Sequence, residues 1–383
     1  MSTASADQYH PGLEGVIANE TAISNVEGKQ GNGGLEYRGY TIEDLAAGVS
    51  YLEAAFLLLH GELPSGTQLQ AFRERISAGG DLPGPLLTLL REVPQGNHPM
   101  DVLRTSVSVL AHFDPEVNAS PTDHAANVRK AERMLARMPS AVAARERLSH
   151  GLEPLAPDHS LDFSANFLYM IHGKVPSEAM SKAFDLSLVL YAEHELNAST
   201  FAGRVTVSTL SDIYSGIVAA IGTLKGPLHG GANEEAWKVL EQVGSPENAE
   251  AWIQAALARK ERIMGFGHRV YKTGDPRARI LKEHCAALAA ETGDDRWERM
   301  AEPIERTVTQ QKQLPPNVDW PSARLYHYMG LEIHLYTPIF AMARVAGWAA
   351  HIIEQLDHNR LMRPRARYVG PPTRPITPVD RRG

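Results

Sequence analysis

The pattern of hydrophobic and polar positions predicts helices along almost the whole chain. The alternation typical of a strand occurs only weakly, at residues 14–26. The segment SYLEAAFLLLHG has the clearest boundaries. Ser50 followed by Glu53 three residues later predicts a capping box, and Gly61 suits a left-handed C-cap. Because helix follows helix without an alternating strand pattern, the sequence predicts an all-α fold with at most a short N-terminal hairpin.

Further helix starts and two breaks indicate the domain organisation. Ser-Pro-Glu at 245–247 predicts a helix that runs to Gly265, and Thr-Pro at 337–338 predicts the start of another. Glycine and proline cluster at 226–231 and 315–321, where the chain is suited to pass between domains. Its 383 residues exceed the ~250 to 300 that one core usually holds. We therefore expect two domains, with the smaller one between these clusters.

Composition narrows the class of protein. The apolar content of 43% supports a sizeable core, and 38 basic against 45 acidic residues, a formal charge of −7, argue against nucleic-acid binding. The single cysteine, Cys285, cannot form an internal disulfide, and the first ten residues do not resemble a signal peptide. Arg344 and His351 interrupt the apolar stretch 335–353, which favours a buried helix over a membrane span. These features predict a cytoplasmic enzyme without a transmembrane segment.

Three of the 16 histidines lie in loops of small residues or at helix edges: His194 in YAEHELNAST, His229 in GPLHGGANEEA and His268 in MGFGHRVYKTGDPRA. Glycines in such loops let the backbone approach a ligand closely. His229 precedes a predicted helix N-terminus, whose macrodipole disfavours an imidazolium, so we expect a neutral hydrogen-bond donor. Position alone is equally compatible with a glycine-rich helix entry that contains an incidental histidine.

Three arginines are suited to bind a dicarboxylate, because the planar guanidinium pairs with carboxylates through two hydrogen bonds. Arg277 follows a TGDP turn that could fold it back towards His268, and Arg363 lies in a proline-rich segment. Arg344 lies in a predicted helix too apolar to be a solvated surface, and a buried arginine needs an anionic partner. The alternative for Arg344 is a structural salt bridge.

Asp319 lies between Pro316 and Pro321, where we do not expect a helix and where the backbone could aim the carboxylate. An aspartate in such a place is more often a turn residue or the cap of a following helix, here SARLYHYMG. On local grounds alone, Asp319 is a weak candidate.

Two kinds of site are disfavoured by spacing. The sequence has neither HExxH nor CxxC, and the three histidines are more than thirty residues apart in separate motifs, so no metal site is expected. The GFG at 265–267 lacks the third glycine of GxGxxG and follows a helix rather than a strand, so no nicotinamide cofactor is expected.

Seven strings, taken together and in order, closely resemble the citrate synthase family over residues 12–370: GLEYRGYTIEDLA, EHELNAS, GPLHGGANEEA, MGFGHRVYKTGDPRA, PPNVDW, TPIFAMARVAGWAAH and RPRARYVG. The resemblance implies an α-helical homodimer that condenses acetyl-CoA with oxaloacetate in the tricarboxylic acid cycle. It implies a large domain formed by residues 1–230 and 331–383, with a small domain at 231–330. The substrate would lie in the cleft between them, and no cofactor is needed beyond the coenzyme A thioester.

Motif matching then assigns roles as implications of the resemblance. His229 would polarise the thioester carbonyl of acetyl-CoA, Asp319 would remove a methyl proton, and His268 would polarise the oxaloacetate ketone. The implied oxaloacetate residues are His194, Asn197, Arg277, Arg344 and Arg363, the last reaching into the partner subunit's site. The residues suited to coenzyme A are Gly265, Gly267, Arg269 and Lys272.

Three alternatives remain open from the sequence. A 2-methylcitrate synthase shares the whole catalytic set but accepts propionyl-CoA. A catalytically silent regulatory relative could share the fold, although retention of His229, His268 and Asp319 argues against it. A helical scaffold without a ligand is disfavoured by Arg344.

Overall fold

The structure, a computed structural model, describes residues 9–27, 34–268, 270–271 and 274–382. Two residues predicted to bind coenzyme A, Arg269 and Lys272, therefore lie outside the described residues. Most of the described chain is helical and it contains very little sheet, so the all-α prediction is confirmed.

Three two-residue strands form a small antiparallel sheet near the N-terminus: β1 Ser24–Asn25, β2 Glu36–Tyr37 and β3 Tyr40–Thr41, in the order β1-β2-β3. The predicted hairpin at 14–26 is wrong in extent, because only 24–25 is a strand and its partner lies at 36–37. The side chain of Tyr37 is fully buried and anchors the sheet, since its hydroxyl donates towards the carbonyl oxygens of Val189 and Glu193.

In the described residues, ten helices precede residue 226: α1 Ile42–Gly48, α2 Tyr51–His60, α3 Gly66–Ala78, α4 Gly84–Glu92, α5 Pro99–His112, α6 His124–Ser149, α7 Phe163–His172, α8 Glu178–Tyr191, α9 Ala198–Val207 and α10 Ile213–Leu224. Six follow: α11 Ala232–Val243, α12 Ala249–Ala258, α13 Pro276–Thr292, α14 Arg296–Lys312, α15 Asp319–Tyr328 and α16 Tyr336–Asp357. Short 3-10 turns cover Pro11–Leu13, Pro246–Asn248, Ile333–Leu335 and Val379–Arg381.

The predicted helix boundaries are right where local capping decides them. The capping box of Ser50 and Glu53 is present, and Gly61 ends α2 with a φ of 90°. The helix predicted from 245–247 to Gly265 is wrong, because a 3-10 turn opens it and α12 ends at Ala258, followed by a left-handed residue at 260. The prediction at 337–338 is one residue late, since α16 begins at Tyr336.

Helix α16 is the centre of the fold, because it is buried on nearly every side and packs against α2, α6, α8, α9 and α10. Gly216 in α10 permits this packing, since a Cβ there would lie 2.7 Å from Ile352 of α16. Helices α11 to α15 pack mainly on one another and meet the rest through α1, α8 and α16. No described helix combines the length and apolar character that a bilayer crossing requires.

Candidate active site

Two loops that are distant in sequence pair through their backbones beside several of the predicted site residues. The amide of Gly267 donates to the carbonyl of Pro315 at 2.8 Å, and the amide of Asn317 donates to the carbonyl of Gly265 at 2.9 Å. The Asn317 side chain closes the pairing by donating to the Gly267 carbonyl at 3.0 Å. The next residue after Gly267 is a predicted catalytic histidine, and the pairing therefore holds His268 beside the start of α15.

The pairing also explains the two glycines. Gly265 and Gly267 have φ values of 86° and 73°, which residues with side chains rarely adopt. A Cβ at Gly265 would lie 3.0 Å from Trp320, and one at Gly267 would lie 3.1 Å from Leu314. Their predicted role at the coenzyme A stays a prediction, because close backbone packing already requires glycine at both positions.

Asp319 is the first residue of α15, so the expectation that it lies outside a helix is wrong. Its amide donates to the side-chain oxygen of Asn317 at 3.0 Å, which fixes the helix start. Burial raises the pKa of the Asp319 carboxyl to about 6, although the positive charges of Arg277 and Arg344 oppose the rise. A carboxyl with that pKa is largely ionised at neutral pH and is basic enough to accept a proton.

An aromatic cluster joins two of the predicted histidines. The ring of His268 stacks on Tyr271 with centroids 4.5 Å apart, and the Tyr271 hydroxyl lies 3.1 Å from Nε2 of His194. The ring centroids of His194 and His268 are 5.2 Å apart. The amide of Val270 donates to Nδ1 of His268 at 3.1 Å, so that nitrogen is an acceptor and the ring proton lies on Nε2. His268 therefore has a hydrogen-bond donor at Nε2.

Arg277 is held by an aspartate rather than by a turn towards His268. Both oxygens of Asp275 accept from its guanidinium, from Nε at 2.9 Å and from the terminal nitrogen at 2.8 Å. The same carboxylate accepts from the amide of Val318 at 3.1 Å, which connects Arg277 to the residue before Asp319. Arg277 lies over Tyr271 with its Cζ 5.8 Å from the ring centroid. Asp275 thus connects Arg277 to the residue that precedes α15.

Arg344 is buried and has no ion-pair partner in the part of the chain that the structure describes. Its side chain is 1% exposed, and no carboxylate of the described ranges lies within 4.0 Å of it. Its Nε donates to the carbonyl of Tyr191 at 2.6 Å, and its Cζ lies 4.6 Å from the ring centroid of Phe340. The alternative reading as a structural salt bridge is therefore wrong for the described chain. A buried cation of this kind calls for an external anion.

His229 is neutral at physiological pH, since burial first and then the charge of Arg344 lower its pKa to about 4. The expected neutral state agrees with this value, but its cause is burial and a nearby arginine rather than the helix macrodipole. The amide of Ser199 donates to Nε2 of His229 at 3.3 Å, so the ring proton lies on Nδ1. The Ser199 hydroxyl lies 2.8 Å from the same nitrogen and accepts from Trp348 at 3.1 Å.

The charge of Arg344 acts on three of the predicted site residues. It lowers the pKa values of His229, His194 and Asp319, and the pKa of His194 falls well below its usual value because of burial and then Arg277 and Arg344. The structure therefore brings His194, His229 and Asp319 under the influence of one buried positive charge.

Two predicted oxaloacetate residues are placed differently. The side chain of Asn197 caps α9, where its oxygen accepts from the amide of Thr200 at 3.1 Å and its nitrogen donates to the His194 carbonyl at 3.4 Å. Arg363 is exposed in the extended segment after α16. Asn197 therefore supports the loop that carries His194. The predicted contact of Arg363 with a second subunit stays a prediction.

Sequence reasoning missed Tyr271, Asp275 and Ser199. All three stand inside the motifs that were singled out, in HRVY, TGDP and NAST, so the motif strings were the available signal. A metal-like grouping in the described part of the chain lies elsewhere, at Glu146, Glu332 and His334. The predicted absence of a metal from the cleft stays a prediction.

Comparisons with known proteins agree with this geometry. A family model described as citrate synthase, C-terminal domain, matches residues 12–365. The chain is 48% identical over 372 residues to citrate synthase 2 of Bacillus subtilis (strain 168), covering 97% of this chain and 98% of that protein. It is 45% identical over 359 residues to 2-methylcitrate synthase of Mycobacterium tuberculosis (strain ATCC 25618 / H37Rv), covering 94% and 90%.

The fold also matches that of a solved structure. The citrate synthase of Thermoplasma acidophilum, in a ternary complex with carboxymethyl coenzyme A and oxaloacetate, superposes with a TM-score of 0.90 at 34% identity. The superposition covers 98% of this chain and all of that one. On these matches, the chain belongs to the citrate synthase family.

Proposed function

We propose that this enzyme condenses acetyl-CoA with oxaloacetate and water to give citrate and CoA, through an enol or enolate and citryl-CoA. The observation that carries the proposal is a carboxyl with a pKa of about 6 and a neutral histidine on which the charge of one buried arginine, Arg344, acts, and this arginine has no ion-pair partner among the described residues. The first group can take a proton, the second can donate one hydrogen bond, and the third attracts an anion.

Enolisation is the difficult step, because a thioester methyl is a poor acid unless the charge that develops on its oxygen is stabilised at the same time. Asp319 would remove the methyl proton. His229 would donate from Nδ1 to the thioester oxygen, with Ser199 holding its other nitrogen. A positioned base and a positioned donor each contribute a rate factor of about 10² to 10³.

The enol carbon would then attack the ketone of oxaloacetate. His268 would polarise that ketone from Nε2, because backbone donors occupy its Nδ1. Arg344 and Arg277 would bind the two carboxylates, and His194 would contribute beside them. Asn197 would act by capping α9 and holding the His194 loop.

Hydrolysis of citryl-CoA needs water that must be kept out during enolisation, and domain closure would meet that need. We propose that residues 1–230 and 331–383 form the large domain and 231–330 the small one. The mutual packing of α11 to α15 supports this division. The Thr337 hydroxyl at the start of α16 donates to the Gly230 carbonyl at 3.3 Å. Both residues would belong to the large domain, so this hydrogen bond joins its two segments next to the boundary at 230–231.

The remaining assignments follow the family. We propose a cytoplasmic homodimer in which Arg363 reaches the partner subunit's site. Gly265, Gly267, Arg269 and Lys272 would bind coenzyme A, and no metal or further cofactor would be required. Hybrid dimers of Arg363→Ala with Asp319→Ala chains would recover activity only if the sites are shared between subunits. A monomer by mass in solution would contradict the dimer.

The direct test is a thiol-release assay with acetyl-CoA and oxaloacetate, using Asp319→Ala as the control. We expect CoA release that depends on both substrates and is absent in the variant. No turnover by the wild-type chain would favour the catalytically silent alternative.

A second candidate function is 2-methylcitrate synthesis from propionyl-CoA, which is supported by the 45% identity to an enzyme of that name. One methylene in an apolar pocket changes discrimination by only about 1–3 kcal/mol. The ratio of kcat/KM for acetyl-CoA and propionyl-CoA separates the two. A ratio in favour of propionyl-CoA would replace the first proposal.

A further inference from the structure

A buried carboxylate lies directly behind the proposed anion site. Glu193 precedes His194 in sequence and is 0% exposed. One of its oxygens, Oε1, accepts from Nε2 of His351 at 2.9 Å and from the Ser24 hydroxyl at 2.9 Å. The other, Oε2, has no hydrogen-bond partner among the described residues. A buried carboxylate oxygen without a donor is costly, so its retention calls for a compensating charge.

The packing of this segment on α16 places Glu193 near Arg344. The Tyr191 carbonyl contacts Arg344, and Glu193 contacts His351 two turns further along the helix. Between them lies Gly347, where a Cβ would be 2.1 Å from Oε2 of Glu193 and 2.4 Å from the carbonyl of Ala192. Glycine at 347 therefore makes room for the carboxylate on the face of α16 that carries Arg344.

The hydrogen bonds of His351 fix the direction of this network. Arg204 has only donors, and its terminal nitrogen lies 3.0 Å from Nδ1 of His351, so the imidazole proton lies on Nε2 and points to Glu193. Arg204 is itself paired with Glu354 at 2.7 Å. Arg204 thus balances the outer carboxylate, Glu354, and the negative charge of the inner carboxylate, Glu193, acts on Arg344.

The two charges act on each other. Burial lowers the pKa of Arg344, and Glu193 is the foremost group that opposes this. Burial would raise the pKa of Glu193, but its contacts with His351 and the charge of Arg344 bring it below its usual value. No ion pair forms, because the two side chains do not approach within 4.0 Å. The guanidinium therefore stays available to a ligand while part of its charge is balanced.

We propose that Glu193 is a positioning residue that acts through Arg344: its negative charge limits how tightly the cleft holds anions, so that a dicarboxylate binds reversibly. This inference rests on the proposed function, because it assumes that Arg344 binds oxaloacetate. It predicts that a neutral residue at 193 tightens binding, whereas loss of a merely structural contact would weaken it.

The test is calorimetric titration of oxaloacetate, without acetyl-CoA, into wild type, Glu193→Gln and the control Glu354→Gln, which removes the outer carboxylate. Glutamine keeps the shape and the acceptor for His351. We expect Kd for oxaloacetate to fall roughly tenfold in Glu193→Gln, from the loss of one nearby like charge, with little change in Glu354→Gln. The same variant should show a lower KM for oxaloacetate together with a lower kcat, because anionic product leaves more slowly.

Unchanged or weaker binding in folded Glu193→Gln would overturn the inference. The shorter pair Glu193→Asp and Glu193→Asn repeats the comparison, since these two differ in charge and hardly in size, and only the second should tighten binding. If neither neutral variant folds, the carboxylate is structural and the assignment fails. Failure of wild type to bind oxaloacetate would instead contradict the proposed function itself.

Discussion

Arg324 and Arg344 are buried to the same degree, 0% and 1% exposed. Among the described residues, only Arg324 has carboxylate partners. Arg324 in α15 donates to Glu298 at 2.7 Å and lies 3.4 Å from a second carboxylate. These charges hold its pKa above the usual range despite burial, whereas the pKa of Arg344 is lowered by burial. The first charge is balanced within the fold. The second is left for a ligand.

Carboxylates show the same contrast. Asp114 is buried and accepts from Arg133 at 2.7 Å and from the Tyr214 hydroxyl at 2.6 Å, which bring its pKa below the usual value despite burial. Asp319 has no such ion pair among the described residues, and burial raises its pKa to about 6. Arg344 and Asp319 of the site therefore lack a bonded counter-ion among the described residues, whereas Arg324 and Asp114 of the scaffold have one.

The largest effect should come from Asp319→Asn, which removes the base and keeps the shape. We expect turnover to fall by about 10³-fold or more while oxaloacetate binding is retained. Stability should rise at pH 7, because a folded pKa above the unfolded value of about 3.9 means that the ionised carboxylate costs on the order of 1–3 kcal/mol. Thiol release and urea unfolding measure the two. A less stable variant would show that other groups of the folded protein balance the Asp319 carboxylate.

Replacing each arginine by methionine compares the two regions directly. Arg344→Met should raise KM for oxaloacetate by roughly 10²-fold, since a charge-assisted contact to a carboxylate is lost. Arg324→Met should instead destabilise the protein by about 3–5 kcal/mol, because two carboxylates lose their buried partner. Steady-state kinetics and urea unfolding of both variants give the comparison. Equal behaviour of the two would show that the contrast has no functional meaning.

The pH profile of kcat/KM provides a smaller but sharp test. Because the pKa of Asp319 is about 6, activity should decrease about tenfold per pH unit below that value as the base becomes protonated. The pKa of His229, about 4, predicts no further loss from that residue between pH 5 and 8. An acid limb near pH 4 would contradict the raised pKa of the carboxyl.

The smallest effect concerns a paired cluster away from the cleft. His150 lies 2.8 Å from Glu332, and its pKa is raised first by a hydrogen bond to the Glu146 carbonyl oxygen and then by the charges of Glu146 and Glu332; the contact of His334 with Glu146 at 2.7 Å raises the pKa of His334. The stabilisation is complete below the unfolded pKa of about 6.5 and is lost as pH rises through the folded pKa.

His334→Gln should therefore lower stability at pH 6 by less than about 1 kcal/mol and leave it unchanged at pH 8.5, with turnover unaffected. Urea unfolding at the two pH values checks this. A larger loss at pH 8.5 than at pH 6 would reverse the assigned sign.

Local rules predicted what local contacts decide. The boundaries of α2 followed from Ser50 and Gly61, and the apolar surroundings of Arg344 indicated a buried cation. The same rules failed where distant contacts decide. Asp275 accepts from an amide 43 residues away, and Ser199 accepts from Trp348, 149 residues away. Such contacts leave no trace in the spacing of a motif, so the motif strings marked the segments that hold Asp275 and Ser199 but not the partners of these residues.

The central claim is that the charge of Arg344 is only partly balanced in the free protein, by Glu193, and that the substrate completes the balance. It is tested most directly by urea unfolding of wild type and Arg344→Met, each with and without saturating oxaloacetate. We predict that the variant is at least as stable as wild type without ligand, and that oxaloacetate stabilises only wild type. A variant several kcal/mol less stable without ligand, or stabilised equally by oxaloacetate, would contradict the account.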